Sequence, residues 1–289
     1  MNVIFGGTGH VGSAVVDALL RQGQPVALVT RDPARAAHQA SRGARVVQAD
    51  IDDVASLRAT LRRGRRAFLL NPPGDVTGDP DAAERRTVAR LLAALDGAAL
   101  EKVVVASTGG ARQGEAVGDL GTLWELEEGV RRQPVPAAIN RAAYYMSNWD
   151  AQLDAVRRTG RLQTFFPADL PIPMVAPEDV GAAAAARLLT PPDDVGVQGI
   201  EGPARYTSRD VAAALAQALG RAVEVDVVPR SDWQATFQQL GFSEAAARSY
   251  ARMTACCVDD GFDMPDDTRR GATPLAAYLA GRLDAVRPD

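Results

Sequence analysis

Gly6, Gly9 and Gly12 stand three residues apart directly behind an apolar run, Val3-Ile4-Phe5, and open a segment whose apolar residues Val15, Val16, Leu19 and Leu20 recur at helical spacing. A glycine loop between a strand and a helix permits a tight turn, lets backbone approach a pyrophosphate closely, and aims a helix N-terminus at the phosphates. Gly6, Gly7, Thr8, Gly9, His10, Val11 and Gly12 are therefore candidate nucleotide-binding residues. His10 reads either as a residue beside the pyrophosphate or as an exposed loop residue. A second β-rich run, Pro25 to Val29, ends in Thr30-Arg31-Asp32-Pro33, where an acidic residue would favour a free ribose. Arg31, with Arg35 one helical turn on, can instead fork a 2′-phosphate and so favours NADP(H), the alternative being two solvated arginines. Asp50, closing a third β-run, either reaches an adenine or caps its own loop.

The elements that position these residues alternate along the chain. After the first βαβ unit come a strand Arg45 to Gln48, a helix Val54 to Leu61, a strand Ala67 to Leu70, a helix Asp81 to Leu95 and a strand Val103 to Ala106. Strands that are apolar throughout and alternate with helices imply a parallel sheet covered on both faces, the doubly wound α/β arrangement of a Rossmann fold. A helix near Leu123 to Arg132 and a sixth strand, Ala137 to Arg141, follow, after which the sheet reads as complete. Further on, Ser208 reads as the N-cap of a helix Arg209 to Leu219, stopped by Gly220 before a β-run Ala222 to Val228. Residues 1–150 are expected to form the NADP-binding domain, completed by part of 175–205, and residues 151–289 a smaller α/β substrate-binding region at the strand ends.

The 289 residues carry a net charge of −4, with 46% apolar and 24% charged residues. There is no long basic run, so nucleic acid is not an expected partner. Apolar runs fall short of the roughly 20 residues a membrane span needs, no secretory signal is visible at the start, and a cytoplasmic location is expected. Cys256 and Cys257 are adjacent and fit reduced thiols, a redox pair being the alternative. Lys102 is the single lysine, and His10 and His38 are the two histidines. That scarcity argues against Schiff-base chemistry, a Ser-His-Asp set and a His-rich metal cluster, so no metal site is expected.

In this order the segments resemble the NmrA-like family of atypical short-chain dehydrogenases/reductases, in layout its quinone oxidoreductase branch. Gly6 to Gly12 looks like that family's glycine loop, Thr30-Arg31-Asp32-Pro33 like its cofactor segment, and Val47-Gln48-Ala49-Asp50 like its Asp motif. Asn140-Arg141-Ala142-Ala143-Tyr144-Tyr145-Met146-Ser147-Asn148 resembles its substrate-side segment, and Arg270 to Leu275 the start of its C-terminal helix. The Tyr-x-x-x-Lys pair of short-chain dehydrogenases is missing: the segment that should hold it reads Leu123-Trp124-Glu125-Leu126-Glu127-Glu128. Hydride transfer to an electron-poor acceptor needs chiefly proximity to the nicotinamide, with a proton from water or a nearby hydroxyl.

On this reading Asn71, Pro72 and Ser107 lie at the nicotinamide, Ser107 fixing its carboxamide. Tyr144, Tyr145 and Asn148 face the substrate, the two tyrosines either as hydrogen-bonding or proton-donating groups or as ordinary packing. Trp124, Phe165, Phe166 and Met174 line an apolar pocket or belong to the core. The expected function is NADP(H)-dependent reduction of a small conjugated carbonyl or quinone-like compound by a monomer or homodimer. A non-catalytic NADP(H) sensor and a biosynthetic enzyme catalysing a rearrangement, dehydration or cyclisation are the alternatives.

Overall fold

The computed structural model describes residues 1–285. Along the first half run β1 (Asn2–Ile4), α1 (His10–Arg21), β2 (Val26–Thr30), α2 (Ala37–Ser41), β3 (Arg45–Gln48), α3 (Val54–Leu61), β4 (Arg66–Leu69), α4 (Pro80–Leu95), β5 (Lys102–Thr108), α5 (Asp119–Arg131) and β6 (Ala137–Ala142). The second half holds β7 (Tyr144–Tyr145), α6 (Leu153–Thr159), β8 (Arg161–Thr164), β9 (Ile172–Val175), α7 (Pro177–Leu189), β10 (Gly196–Glu201), β11 (Arg205–Tyr206) and α8 (Ser208–Leu219). It closes with β12 (Glu224–Val227), α9 (Trp233–Gln239), α10 (Glu244–Asp259), β13 (Thr268–Arg270) and α11 (Leu275–Ala285).

The main sheet has the order β13-β10-β6-β5-β4-β1-β2-β3, and every pairing in it is parallel. Side-chain alternation splits it cleanly. Ile4, Leu28, Phe68, Val104 and Ala138 face α1 and α7, while Val3, Ala27, Ala67, Leu69, Val103, Val105 and Ile139 face α3, α4 and α5. Helix α7 seats on α1 through small residues, since a Cβ on Gly181 would stand 2.4 Å from that of Ala14. The order of the strands reverses between β1 and β4, and at such a switch point the strand ends leave a crevice.

Two readings of the sequence are corrected. The sheet does not close with its sixth strand: β10 extends it beside β6, and β13 forms the edge. Two glycines dilute the apolar pattern of β10, and β13 is the polar triplet Thr268-Arg269-Arg270, whose outer face is solvated. The N-cap of α8 is Thr207 rather than Ser208. Thr207 and Asp210 form a reciprocal capping box, and the Ser208 hydroxyl turns inward to Thr164 at 3.1 Å.

The rest of the second half packs over the strand ends. Two small sheets, β11-β9-β7 and β12-β8, surround a core of Met146, Trp149, Leu162, Phe166, Ile172, Met174, Leu215 and Leu279. Among the described residues no helix is long and apolar enough to cross a membrane.

Candidate active site

The loop from β1 to α1 is held by its glycines. Gly6 adopts φ +67°, a conformation that a side chain would strain, and its carbonyl accepts from the Gly9 N–H at 2.9 Å. A Cβ on Gly12 would lie 2.0 Å from that same carbonyl oxygen, so helix and loop touch only because Gly12 has none. Gly9 differs. A Cβ there would meet only Gly6 O, at 3.5 Å, and the residue is exposed, as is His10. No side chain caps α1 and no acid stands in its first turn, so its leading N–H groups form a bare, positive helix end.

Beside it, the turn after β2 is pinned by Thr30, whose hydroxyl accepts from the Asp32 N–H at 3.2 Å. Gln48 donates to the Arg31 carbonyl at 3.3 Å, and Asp32 caps the turn Pro33–Ala36 through the Ala34 N–H. The backbone of this turn is therefore fixed while the side chains of Arg31 and Arg35 stay exposed, with no ion pair among the described residues. Asp50 accepts from the Asp52 N–H at 2.9 Å, capping its own loop.

Across the switch point, the end of β4 presents Asn71. Both polar atoms of its amide are buried without a partner, a costly arrangement for a group able to make several hydrogen bonds. Pro72 follows, exposed. Ser107, at the end of β5, donates inward to Glu127 at 2.5 Å instead of toward the crevice. Glu127 is fully buried in α5 and also takes both arms of the Arg141 guanidinium at 2.8 Å. Ser107 thus belongs to a charged bracket that ties β5 and β6 to α5, and its hydroxyl is engaged there rather than with a carboxamide.

Tyr144 and Tyr145 form β7, over the same strand ends. The Tyr144 ring meets Trp149, Phe166 and Phe262 edge-on, with centroids 6.0, 5.6 and 6.4 Å away. Burial pushes both phenols well above their ordinary range, and Asp119 adds to this at Tyr145. Phe165 stacks on Phe237 at 4.2 Å, Met174 is fully buried in the core of this region, and Trp124 is half-buried on α5 without a ring contact to the Tyr144 group among the described residues.

A strap of chain, residues 260–267, crosses the ends of β5 and β6. The Gly110 N–H donates to the Asp263 carbonyl at 2.8 Å, and the Met264 sulfur rests where a Cβ on Gly109 would be, 2.4 Å from it. Phe262 and Met264 flank an open depression of about 780 Å³ that Gly110, Arg112 and Arg205 also line. Cys256 and Cys257 are free, and burial pushes the Cys257 thiol up to about 12, which leaves no reactive thiolate. No cluster able to hold a metal exists among the described residues.

Residues 2–264 match the model of the NmrA-like family. The chain belongs to the NmrA-like family. It is 25% identical to an NAD(P)H azoreductase of Xenophilus azovorans over 287 residues, 99% of this chain and 91% of that one. It is also 25% identical to quinone oxidoreductase 2 of Escherichia coli (strain K12), covering 86% of this chain and 84% of that one. Among solved structures, an NADPH-dependent quinone oxidoreductase from Escherichia coli in complex with NADPH superposes with a TM-score of 0.78 at 22% identity, over 98% of this chain and 100% of the other. The triphenylmethane reductase of Citrobacter sp. with NADP(H) gives 0.79 at 18%, over 96% and 99%.

In this family member the glycine loop, Arg31 and Asn71 follow the C-terminal ends of the neighbouring strands β1, β2 and β4, while Tyr144 packs with Phe166 beyond the end of β6. Phe262 and Met264 are not found by sequence reasoning, since they lie in an irregular stretch with no motif or periodicity. It also missed the buried acids Asp81 and Glu84, because acids near the start of a helix read as solvated partners of the helix dipole.

Proposed function

We propose that this chain is an NADPH-dependent reductase of small conjugated acceptors of the quinone or azo class. Residues 1–150 and part of 175–205 bind the cofactor, and the remainder shapes the acceptor site. The observation that carries the reading is the pairing of a bare α1 N-terminus with two unpaired arginines on a pinned turn, an anion site with room for a second phosphate. The orphaned Asn71 amide supports it, as it offers a donor and an acceptor of the kind a carboxamide satisfies. The azoreductase is named for NAD(P)H, the superposed quinone oxidoreductase structure holds NADPH, and the names of both curated relatives denote redox enzymes.

NADPH, when bound, supplies the hydride. The chain's part is to orient. Backbone of the glycine loop and the helix end hold the pyrophosphate, Arg31 and Arg35 the 2′-phosphate, and Asn71 the carboxamide. Tyr144, Phe166 and Phe262 present flat apolar faces to an aromatic or conjugated acceptor and exclude water from it. The phenols of Tyr144 and Tyr145 stay protonated and weakly acidic, so they donate hydrogen bonds, and the proton that completes the reduction comes from water.

The test mixes the protein with NADPH or NADH and a panel of quinones, azo compounds and enones, following the reduced-nicotinamide absorbance. Turnover with NADPH faster than with NADH is expected. Tight NADPH binding without turnover of any acceptor would replace this reading by that of a sensor, which the missing Tyr-x-x-x-Lys favours.

A further inference from the structure

The depression beside the strap of residues 260–267 plays no part in holding the cofactor. Its volume of about 780 Å³ falls within the roughly 300–1,000 Å³ of small-molecule sites. Arg112, Arg205, Asp260, Phe262, Asp263 and Met264 line it. Phe262 belongs to both of its sides: the half-buried ring faces the depression and also meets Tyr144 edge-on at 6.4 Å and Phe166 at 6.0 Å. It stands between the depression and the rings of the roof.

The walls are held without any ligand. The Gly110 N–H donates to the Asp263 carbonyl at 2.8 Å, which ties the strap to the end of β5. Arg112 gives its Nη1 to Asp260 at 2.5 Å and its Nε to the Gly110 carbonyl at 3.2 Å. Arg205 gives its Nε to Glu201 at 3.1 Å, a carboxylate 2% exposed that also takes Arg270 at 2.9 Å. Both guanidiniums are thereby oriented, and an oriented guanidinium offers a flat face on which an aromatic ring stacks. Met264 adds a flexible, polarisable sulfur suited to a ring edge. Two arginines and two aspartates leave the lining without net charge, and an anion would have to compete with Asp260 and Glu201 for the guanidiniums. The chemistry therefore suits a neutral ring.

We propose that this depression is an outer subsite for a neutral aromatic ring, so that the chain takes flat two-ring acceptors. One ring lies against Tyr144 and Phe166, the second between Met264 and the guanidinium faces, and Phe262 stands between the two. The inner half of this assignment rests on the reductase reading, the outer half on the depression alone. A one-ring acceptor fills the inner side and makes no contact with Arg205 or Met264.

The experiment compares para-hydroxyazobenzene, with two rings, and tetramethyl-para-benzoquinone, with one. Calorimetry with the full chain and NADP+, which has no hydride to give, yields both affinities in the wild type, Arg205→Ala, Met264→Ala and the double variant. Glu201 keeps Arg270 when Arg205 is removed, so that variant holds its fold even if Met264→Ala loosens the strap on Gly109. Each single variant should weaken the two-ring probe by about two- to fivefold and the double variant by about tenfold, with the one-ring probe within about twofold throughout. Two-ring binding that is absent, that survives both substitutions, or that falls in step with one-ring binding overturns the subsite. The same variants are then assayed for turnover with NADPH. The expected binding pattern without reduction of either probe refutes the reductase reading and leaves the subsite standing. Reduction of both probes, with variants that treat them alike, refutes the subsite alone.

Discussion

The cofactor cradle and the acceptor roof meet at the same strand ends but are built by opposite means. The cradle is backbone: a loop that exists because Gly6 and Gly12 lack side chains, an uncapped helix end, and a turn pinned by Thr30 beside its arginines and by Gln48 from the neighbouring strand. The roof is side chains carried in from far apart, with Tyr144, Trp149, Phe166 and Phe262 meeting across about a hundred residues of chain. A backbone site is fixed by local requirements and tolerates no bulk. A roof of packed rings is fixed by tertiary contacts, and its members can be exchanged for others of like volume to suit another acceptor.

The largest effect that would sharpen this contrast is at Gly12. Gly12→Val would drive methyl groups into the Gly6 carbonyl, so NADPH affinity should fall by more than about a hundredfold and the thermal midpoint should fall with it. Gly9→Val should lose cofactor binding with the midpoint nearly unchanged, because its Cβ makes only an ordinary contact with the Gly6 carbonyl oxygen at 3.5 Å. Titration and melting of the two variants separate a glycine kept for packing from one kept for the ligand. Equal loss of stability in both would erase the distinction.

Next comes Arg31→Ala. Loss of one charge-assisted contact costs about 1.5–3 kcal/mol, so NADPH affinity should drop by roughly ten- to a hundredfold while NADH affinity holds. If wild type binds both cofactors equally, the 2′-phosphate assignment falls. The smallest of these effects belongs to the roof. Phe262→Ala should raise acceptor KM by about three- to thirtyfold and leave NADPH Kd within about twofold. A matching rise in NADPH Kd would mean that strap and cradle are one unit.

This division also explains what could be read from sequence. The parallel sheet and the glycine loop show in local pattern, because both depend on spacing within one element and its neighbour. Ser107 shows a limit that could have been passed: it shares the parity of Val103 and Val105, which face α5, so its side chain turns to Glu127 and away from the crevice. The Thr207 cap, too, was legible in Asp210 three residues on. The place of Phe262 and the burial of Glu84 were not. Nothing near residue 262 marks it as a partner of residue 144, and only the packing of α10 on α4 and α5 takes Glu84 out of water.

The central claim is that the acceptor side orients and does not supply an acid. Its most direct test is kcat with saturating NADPH and the best acceptor for Tyr144→Phe and Tyr145→Phe against the wild type, with NADPH Kd measured alongside. Each variant should retain activity to within about ten- to a hundredfold, since positioning alone can contribute roughly 7–11 kcal/mol to lowering the barrier. A loss beyond about ten-thousandfold in either one, at unchanged NADPH affinity, would identify a dedicated proton donor and contradict the account.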